Sequence, residues 1–567
     1  MQGSDRRHTS IGIVRGVPQD ELVLPDGTRN WVVLKKTWNR ESIQIFADFN
    51  SFRHGEDGQQ DELWPSHPSS NSSLSFIDEK ALPEPPYHVF DLRRKRQLVY
   101  IVSMAGLFSP LSSNIYFPAL DTIATEFKVS IALLSLSVTV YMVVQGIAPS
   151  FWGPFSDTAG RRLIFIGTFT VYLVANVGLG LSKSFPALMF FRGLQAAGSA
   201  ATISIGASVI RDITTSSERG GLIRIFGGIR MLGQSIGPVF GGILTQFLGF
   251  RSIFWFLTTL GAIALLLVIF FLPETLRCIA GNGTVRLSGI QRPVIYIIKG
   301  QPDASTEPLS DTPKRKISLS MVLSPLKFLG EKDVMITLFY GGIIYTTWGM
   351  VTSSTTALFQ QRYHLNNLFV GLAFLPNGLG CVLGSYLTGY LMGHDYRRTE
   401  LEYREKKGIA PSIQIERKAL ADFPIEKARM RNIWWVILIF TLATGVYGFS
   451  LNLPIAFPLV LQFFIAYTAT AVFSMNSALI IDLYPGASAS ATAVNNLMRC
   501  TLGAIGVAVV QFVINAVGPG ITFIAFAILT IMLSPLLIVE WKWGPRWRMQ
   551  RYKLLGVRKR DGGHECS

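Results

Sequence analysis

The stretch IALLSLSVTVYMVVQGIAPSFW (131–152), GPFSDTAGRR (153–162) and LIFIGTFTVYLVANVGLGL (163–181) decides the architecture: two uncharged apolar runs joined by ten residues that hold three charges. About 20 apolar residues are the length at which an α-helix crosses the hydrocarbon core of a bilayer. A helix also satisfies its own backbone hydrogen bonds there, which an open strand or loop cannot do. Working outward, such runs recur at 98–120, 185–210, 222–248, 253–272, 334–359, 369–392, 433–453, 455–481, 491–517 and 521–539, twelve in all. A long basic segment near 276–332 divides them six and six. The expected fold is an all-α membrane protein with twelve transmembrane helices in two six-helix halves.

The expected organisation is a disordered cytoplasmic tail at 1–96, a first half at 97–273, a cytoplasmic central loop at 274–333, a second half at 334–541 and a cytoplasmic tail at 542–567. Composition agrees, because 49% of residues are hydrophobic and only 16% charged, too apolar for a soluble chain of 567 residues. The net charge of +16 does not point to nucleic acid. Its lysines and arginines follow alternate loops, as the positive-inside rule requires, and form no single face. One set of loops holds Arg93, Arg94, Lys95, Arg96, Arg161, Arg162, Arg211, Arg219, the central segment, 397–431 and 546–560. The opposite set holds little beyond Lys128, Lys183, Arg251 and Arg362. Both termini are therefore expected in the cytosol, with the lipid bilayer as the protein's surroundings. The polar first 90 residues contain no apolar core of a cleavable signal, so the first span is expected to direct insertion. Cys278, Cys381, Cys500 and Cys566 have neither disulfide nor metal spacing, and no metal or cofactor is expected.

In the 153–162 loop, Gly153 would let two helices approach closely. Asp157 ends one helix, and Gly160 turns the chain so that Arg161 and Arg162 sit beneath the bundle. The pattern and its place between the second and third spans resemble the loop signature of the major facilitator superfamily. A decayed copy, GSYLTGYLMGHDYRR (384–398), stands in the corresponding place of the second half. There Gly393 replaces the aspartate, with Asp395 nearby as a substitute. The resemblance implies that Asp157 and the arginines latch the cytoplasmic side when the protein faces outward. It also implies a substrate site between the halves, near the midplane.

The fifth span carries Gly233, Gly237, Pro238, Gly241 and Gly242, small residues that permit tight helix packing around a proline bend. This string resembles the signature of the superfamily's antiporter and exporter branch. RGLQAAG (192–198) resembles its fourth-span motif. SPLSSNIYFPAL, LPETLR, DFPIEKARMR and NSALIIDLYPGASASATAVNNLMR extend the resemblance to the fungal twelve-span drug:proton antiporters over about 98–547. Within that family, RMLGQSIGPVFGGILTQFLGFRSIFWFL and AGNGTVRLSGI are similar to the fungal citrate exporters.

Three arginines, Arg192, Arg230 and Arg499, lie well inside spans, while no span has an acidic residue away from its ends and all seven histidines lie outside. An intramembrane charge is costly and marks a pathway when it faces a cavity. Arginine without a negative partner suits an anion, and its planar fork grips carboxylates bidentately. The alternative for each arginine is a bond to backbone carbonyls that braces the bundle. Gln195, Gln234, Asn114, Tyr116, Gln145 and Asn496 are the polar candidates to complete the site, and each could instead hold helices together. The expected function is export of citrate or a related polycarboxylate across the plasma membrane by alternating access, with protons as a possible second partner, by a monomer. A multidrug or secondary-metabolite exporter is the alternative. A nutrient sensor stays open, while an intramembrane enzyme lacks a nucleophile–base pair or metal ligands.

Overall fold

The computed structural model describes residues 88–300, 324–408, 423–484 and 488–561; of the tail expected at 1–96, residues 1–87 lie outside them, and 92–96 are helical instead. α1 (Leu92–Asn114), α2 (Ile131–Ala159), α3 (Arg161–Leu181), α4 (Phe185–Ile213), α5 (Ser216–Leu248) and α6 (Arg251–Phe271) form the first half. α7 (Lys332–Tyr363), α8 (Leu375–Lys407), α9 (Ile433–Ser450) and α10 (Ala456–Leu483) begin the second. The helical stretch Ser488–Leu533 is broken at Gly518 (φ 82°, ψ 160°) into α11 (488–517) and α12 (519–533). A further helix, α13 (Pro535–Asp561), carries the chain on, so the expected tail at 542–567 is helical as far as it is described.

Among the described residues, ten stretches are long and apolar enough to cross a membrane. One of the ten, Ser490–Arg551, contains the Gly518 break and holds two crossings. α5 is not among them, since Arg230, Gln234 and its glycines dilute its apolar character. With these two adjustments the helices are consistent with the expected twelve.

Local chemistry sets the helix ends. The Ser130 side chain accepts from the Leu133 N–H at 3.2 Å and caps α2. Gly160, at φ 106°, makes the sharp turn from α2 into α3, a backbone conformation that a residue with a Cβ rarely adopts. Each half buries its own apolar core, the first around Phe108, Phe169 and Phe254, the second around Tyr340, Phe440 and Phe523. Large apolar side chains such as Phe247, Ile263, Leu438 and Ile505 stay exposed on the outside, as a lipid-facing bundle requires.

The halves meet along α2 with α11 and along α5 with α8. An added Cβ on Gly146 would lie 3.0 Å from the Cys500 Cβ, and Ser235 Oγ donates to Gly378 O at 2.9 Å. Further contacts join the end of the bundle away from the 153–162 loop. Thr356 Oγ1 donates to Phe117 O at 2.9 Å, Asn367 Nδ2 donates to Thr122 Oγ1 at 3.0 Å, and the Phe117 and Phe374 rings stack at 6.0 Å. At the basic end, a Cβ added to Gly153, Gly389 or Gly393 would meet nothing within 4 Å. Gly153 therefore provides no close helix approach in this structure, contrary to its expected role.

Candidate functional site

A cavity between the halves is lined by Asn114 and Phe117 from the α1 end, Gln145 of α2, Arg230 and Gln234 of α5, Tyr345 and Trp348 of α7, and Arg499 of α11, among others. No acidic residue and no histidine lines it. Five of the nine residues expected to bind substrate thus come together: Arg230, Arg499, Gln234, Gln145 and Asn114. Asn496 stands behind them, donating through Nδ2 to Gln145 O at 2.9 Å across the two halves.

Arg499 is held from three sides. Its Nη2 donates to Asn496 Oδ1 at 2.7 Å, and its guanidinium lies 4.5 Å from the Tyr345 ring centroid and 4.7 Å from that of Phe473. Such stacking fixes the planar fork without neutralising it. Arg230 is less constrained. It has no ion pair among the described residues, and its Nε is buried without a hydrogen-bond partner. A Cβ added to Gly227 or Gly228 would meet nothing within 4 Å, so space remains beside it. The site thus offers two guanidiniums whose Nε atoms are both without a partner, Arg499 anchored by Asn496 and two rings and Arg230 without such anchors. The neutral amides assist: Gln145 Nε2 donates to Ser109 Oγ at 3.0 Å and Asn114 Nδ2 to Pro110 O at 2.7 Å.

Arg192, Gln195 and Tyr116 are elsewhere. Arg192 is 0% exposed, its guanidinium 4.0 Å from the Tyr116 ring centroid and 4.4 Å from that of Tyr141. Its Nη1 donates to Gln195 Oε1 at 2.7 Å and to Ser112 O at 3.3 Å, and Gln195 Nε2 passes the chain to Asn176 Oδ1 at 2.7 Å. Tyr116 OH pairs with Ser137 Oγ at 3.0 Å. In this conformation the three form a bracing network inside the first half, the alternative foreseen for Arg192. Its Nε and Nη2 are nevertheless buried without partners.

Tyr345, Trp348 and Asn377 escaped the sequence reading. Trp348 Nε1 donates to Asn377 Oδ1 at 2.9 Å, which fixes the indole as a cavity wall. The signal was the YTTW string at 345–348, with two aromatics close on one helix.

The glycines of α5 form a packing seam. A Cβ on Gly233 would come 2.7 Å from Leu107 O, one on Gly237 3.2 Å from Ile115 N, and one on Gly241 into Ile115 O. These residues bring α5 onto α1, whereas Gly242 faces the second half, its added Cβ 2.5 Å from Asn367 O. Pro238 lies within α5, which runs on past it, and its carbonyl approaches Gly371.

The loop charges close on their own half. Arg161 pairs with Asp157 and, through Nε, with Asp212 Oδ2 at 2.9 Å, and its Nη1 donates to Ser156 Oγ at 2.7 Å. Glu274 accepts the backbone N–H groups of Arg161 at 2.9 Å and Arg162 at 3.1 Å. Arg162 caps the end of α6, donating to Val268 O at 2.6 Å and Ile269 O at 2.8 Å. In the second half, Asp395 accepts from Asn432 Nδ2 and does not pair with Arg397 or Arg398. The counterpart of the Arg161–Asp212 pair is Arg429 with Asp482 at 2.6 Å, both outside the 384–398 copy.

Two halves of six spans with a positively lined cavity between them define a membrane transporter. The chain belongs to the major facilitator superfamily, whose model matches residues 102–410. It is 58% identical over 481 residues to Citrate exporter 1 of Aspergillus niger, covering 85% of this chain and 92% of that protein. It is 34% identical to the MFS-type transporter phiD of a fungal species, covering 89% of this chain and 77% of that one. It is also 31% identical to the MFS antiporter QDR2 of Candida albicans, covering 83% and 92%.

Proposed function

We propose that this transporter exports citrate or a closely related polycarboxylate from the cytosol across the plasma membrane, working as a monomer with both termini cytoplasmic. The observation that carries the reading is Arg230 and Arg499 facing one cavity whose lining contains no acidic residue. Buried positive charge without a counter-ion is costly, and a polyanion removes that cost on binding. Similarity to Citrate exporter 1 narrows the anion to the citrate class. Contacts between the halves join the end away from the basic loops, and the space beside Gly153 is open, which supports a carrier that loads from the cytosol. Closure of the basic end would bring Asp157 and Arg161 into their latch role. Arg192 braces the first half in the loading state, and its unused donors become available as the bundle rearranges. An inside-negative potential drives a polyanion outward by about 2.3 kcal/mol per charge per 100 mV, so the substrate's own charge supports export.

A second reading, export of drugs or secondary metabolites, is favoured by the apolar part of the lining, Phe117, Met142, Tyr345 and Trp348. Deletion of the protein in its native cell separates the two. Extracellular citrate is expected to fall severalfold while intracellular synthesis is maintained. An unchanged acid profile with new drug sensitivity would favour the second reading.

A further inference from the structure

The end of the last span enters a cluster of charges that transport through the central cavity does not use. Glu540, on α13, is 0% exposed, and neither of its carboxyl oxygens has a hydrogen-bond partner. The charges close to it come from three elements: Asp333 at the start of α7, Glu426 on the short helix Ile425–Met430, and Arg551 further along α13. Glu426 approaches it over Gly544, where an added Cβ would lie 2.9 Å from Glu540 Oε1 and 3.3 Å from Glu426 Cγ.

Both arginines of the cluster are engaged by other acids. Arg551 makes a bidentate pair with Asp333, Nη1 to Oδ1 at 3.0 Å and Nη2 to Oδ2 at 2.7 Å, and also meets Glu331 at 3.4 Å and the Tyr484 hydroxyl. Arg548 pairs with Glu426, Nε to Oε1 at 3.1 Å and Nη2 to Oε2 at 3.1 Å, with each partner 1% exposed. Three fully buried carboxyls therefore face two arginines, and Glu540 is the acid left without a cation or a donor. An ionised carboxylate in that position would bear the full desolvation cost, whereas a carboxylic acid would not.

The first half supplies a contrast. Glu274 occupies the corresponding place after α6 and accepts four backbone N–H groups, from Arg161, Arg162, Thr275 and Leu276. One half thus ends in a clamped carboxylate, and the other in an acid with nothing to clamp it.

We propose that Glu540 is a proton-binding site, which holds a proton while the α7–α13 cluster is assembled and releases it when the cluster opens. Its occupancy makes rearrangement of the basic end of the second half sensitive to pH on that side of the membrane. The site is independent of which anion crosses the cavity, so its spectroscopic test does not rest on the substrate, and only the flux arm rests on citrate as proposed above.

Infrared spectroscopy of the purified full-length chain tests it. At neutral pH the wild type is expected to show the carbonyl band of a neutral carboxylic acid, lost on alkaline titration. Glu540→Gln should lack this band, and Glu540→Asp should shift it. The aspartate variant keeps the test usable where the glutamine variant does not fold. In liposomes, wild-type flux should vary over the same range of basic-side pH and Glu540→Gln flux should not. Absence of the band from the wild type, or a band unchanged by both substitutions, overturns the proposal.

Discussion

Arg230→Gln is expected to reduce anion export about thirtyfold or more while the protein still folds and reaches the membrane. Arg230 lines the cavity with its Nε unpartnered and without the anchors that hold Arg499, and a carboxylate that binds there gains charge-assisted hydrogen bonds. Losing one partner of such a desolvated pair costs about 2–5 kcal/mol, and about 1.4 kcal/mol is tenfold. Arg230→Lys keeps the charge but not the fork, so flux should fall only about tenfold. Flux and surface expression measured together check this. Wild-type flux from Arg230→Gln would make the residue a brace.

Gly241→Val is expected to remove nearly all functional protein. A Cβ there would enter the space of Ile115 O, and the obstacle is helix backbone that cannot rotate aside. Overpacking ordinarily costs about 1–3 kcal/mol, and here the α1–α5 seam must separate along its length. Gly389→Ala, on an open face of α8, is the control and should be neutral or slightly stabilising. Detergent size-exclusion profiles and flux read both. Normal behaviour of Gly241→Val would show that the seam tolerates separation.

The fold was legible because bilayer spanning leaves a coarse hydropathy signal that depends little on packing. α5 shows where that signal thins: a helix that lines a cavity and packs through glycine is less apolar than its neighbours. The place of Arg230 and Arg499 in a cavity without acidic residues matches what the absence of intramembrane acids led the sequence reading to expect. Arg192 carried the same signal but turns toward Tyr116 and Tyr141, and spacing alone does not show which face of α4 meets the cavity. Asp395 was legible as a motif remnant. In the structure the ion pair near that end is Arg429 with Asp482, 53 positions apart in the chain, a pairing that only the folded half brings together. Glu540 was passed over because it stands at a span's end, where an acid ordinarily reaches water, yet it is fully buried beside Asp333 of α7 and Glu426 of the short helix Ile425–Met430.

The central claim, that a citrate-class anion leaves through the arginine-lined cavity, is tested most directly by efflux of labelled citrate from proteoliposomes of the purified chain. Membrane potential and pH gradient are set independently. The expected result is citrate efflux that is saturable, is accelerated by an inside-negative potential and is strongly reduced in Arg230→Gln. No citrate flux under any combination of gradients, with the protein folded and inserted, would contradict it.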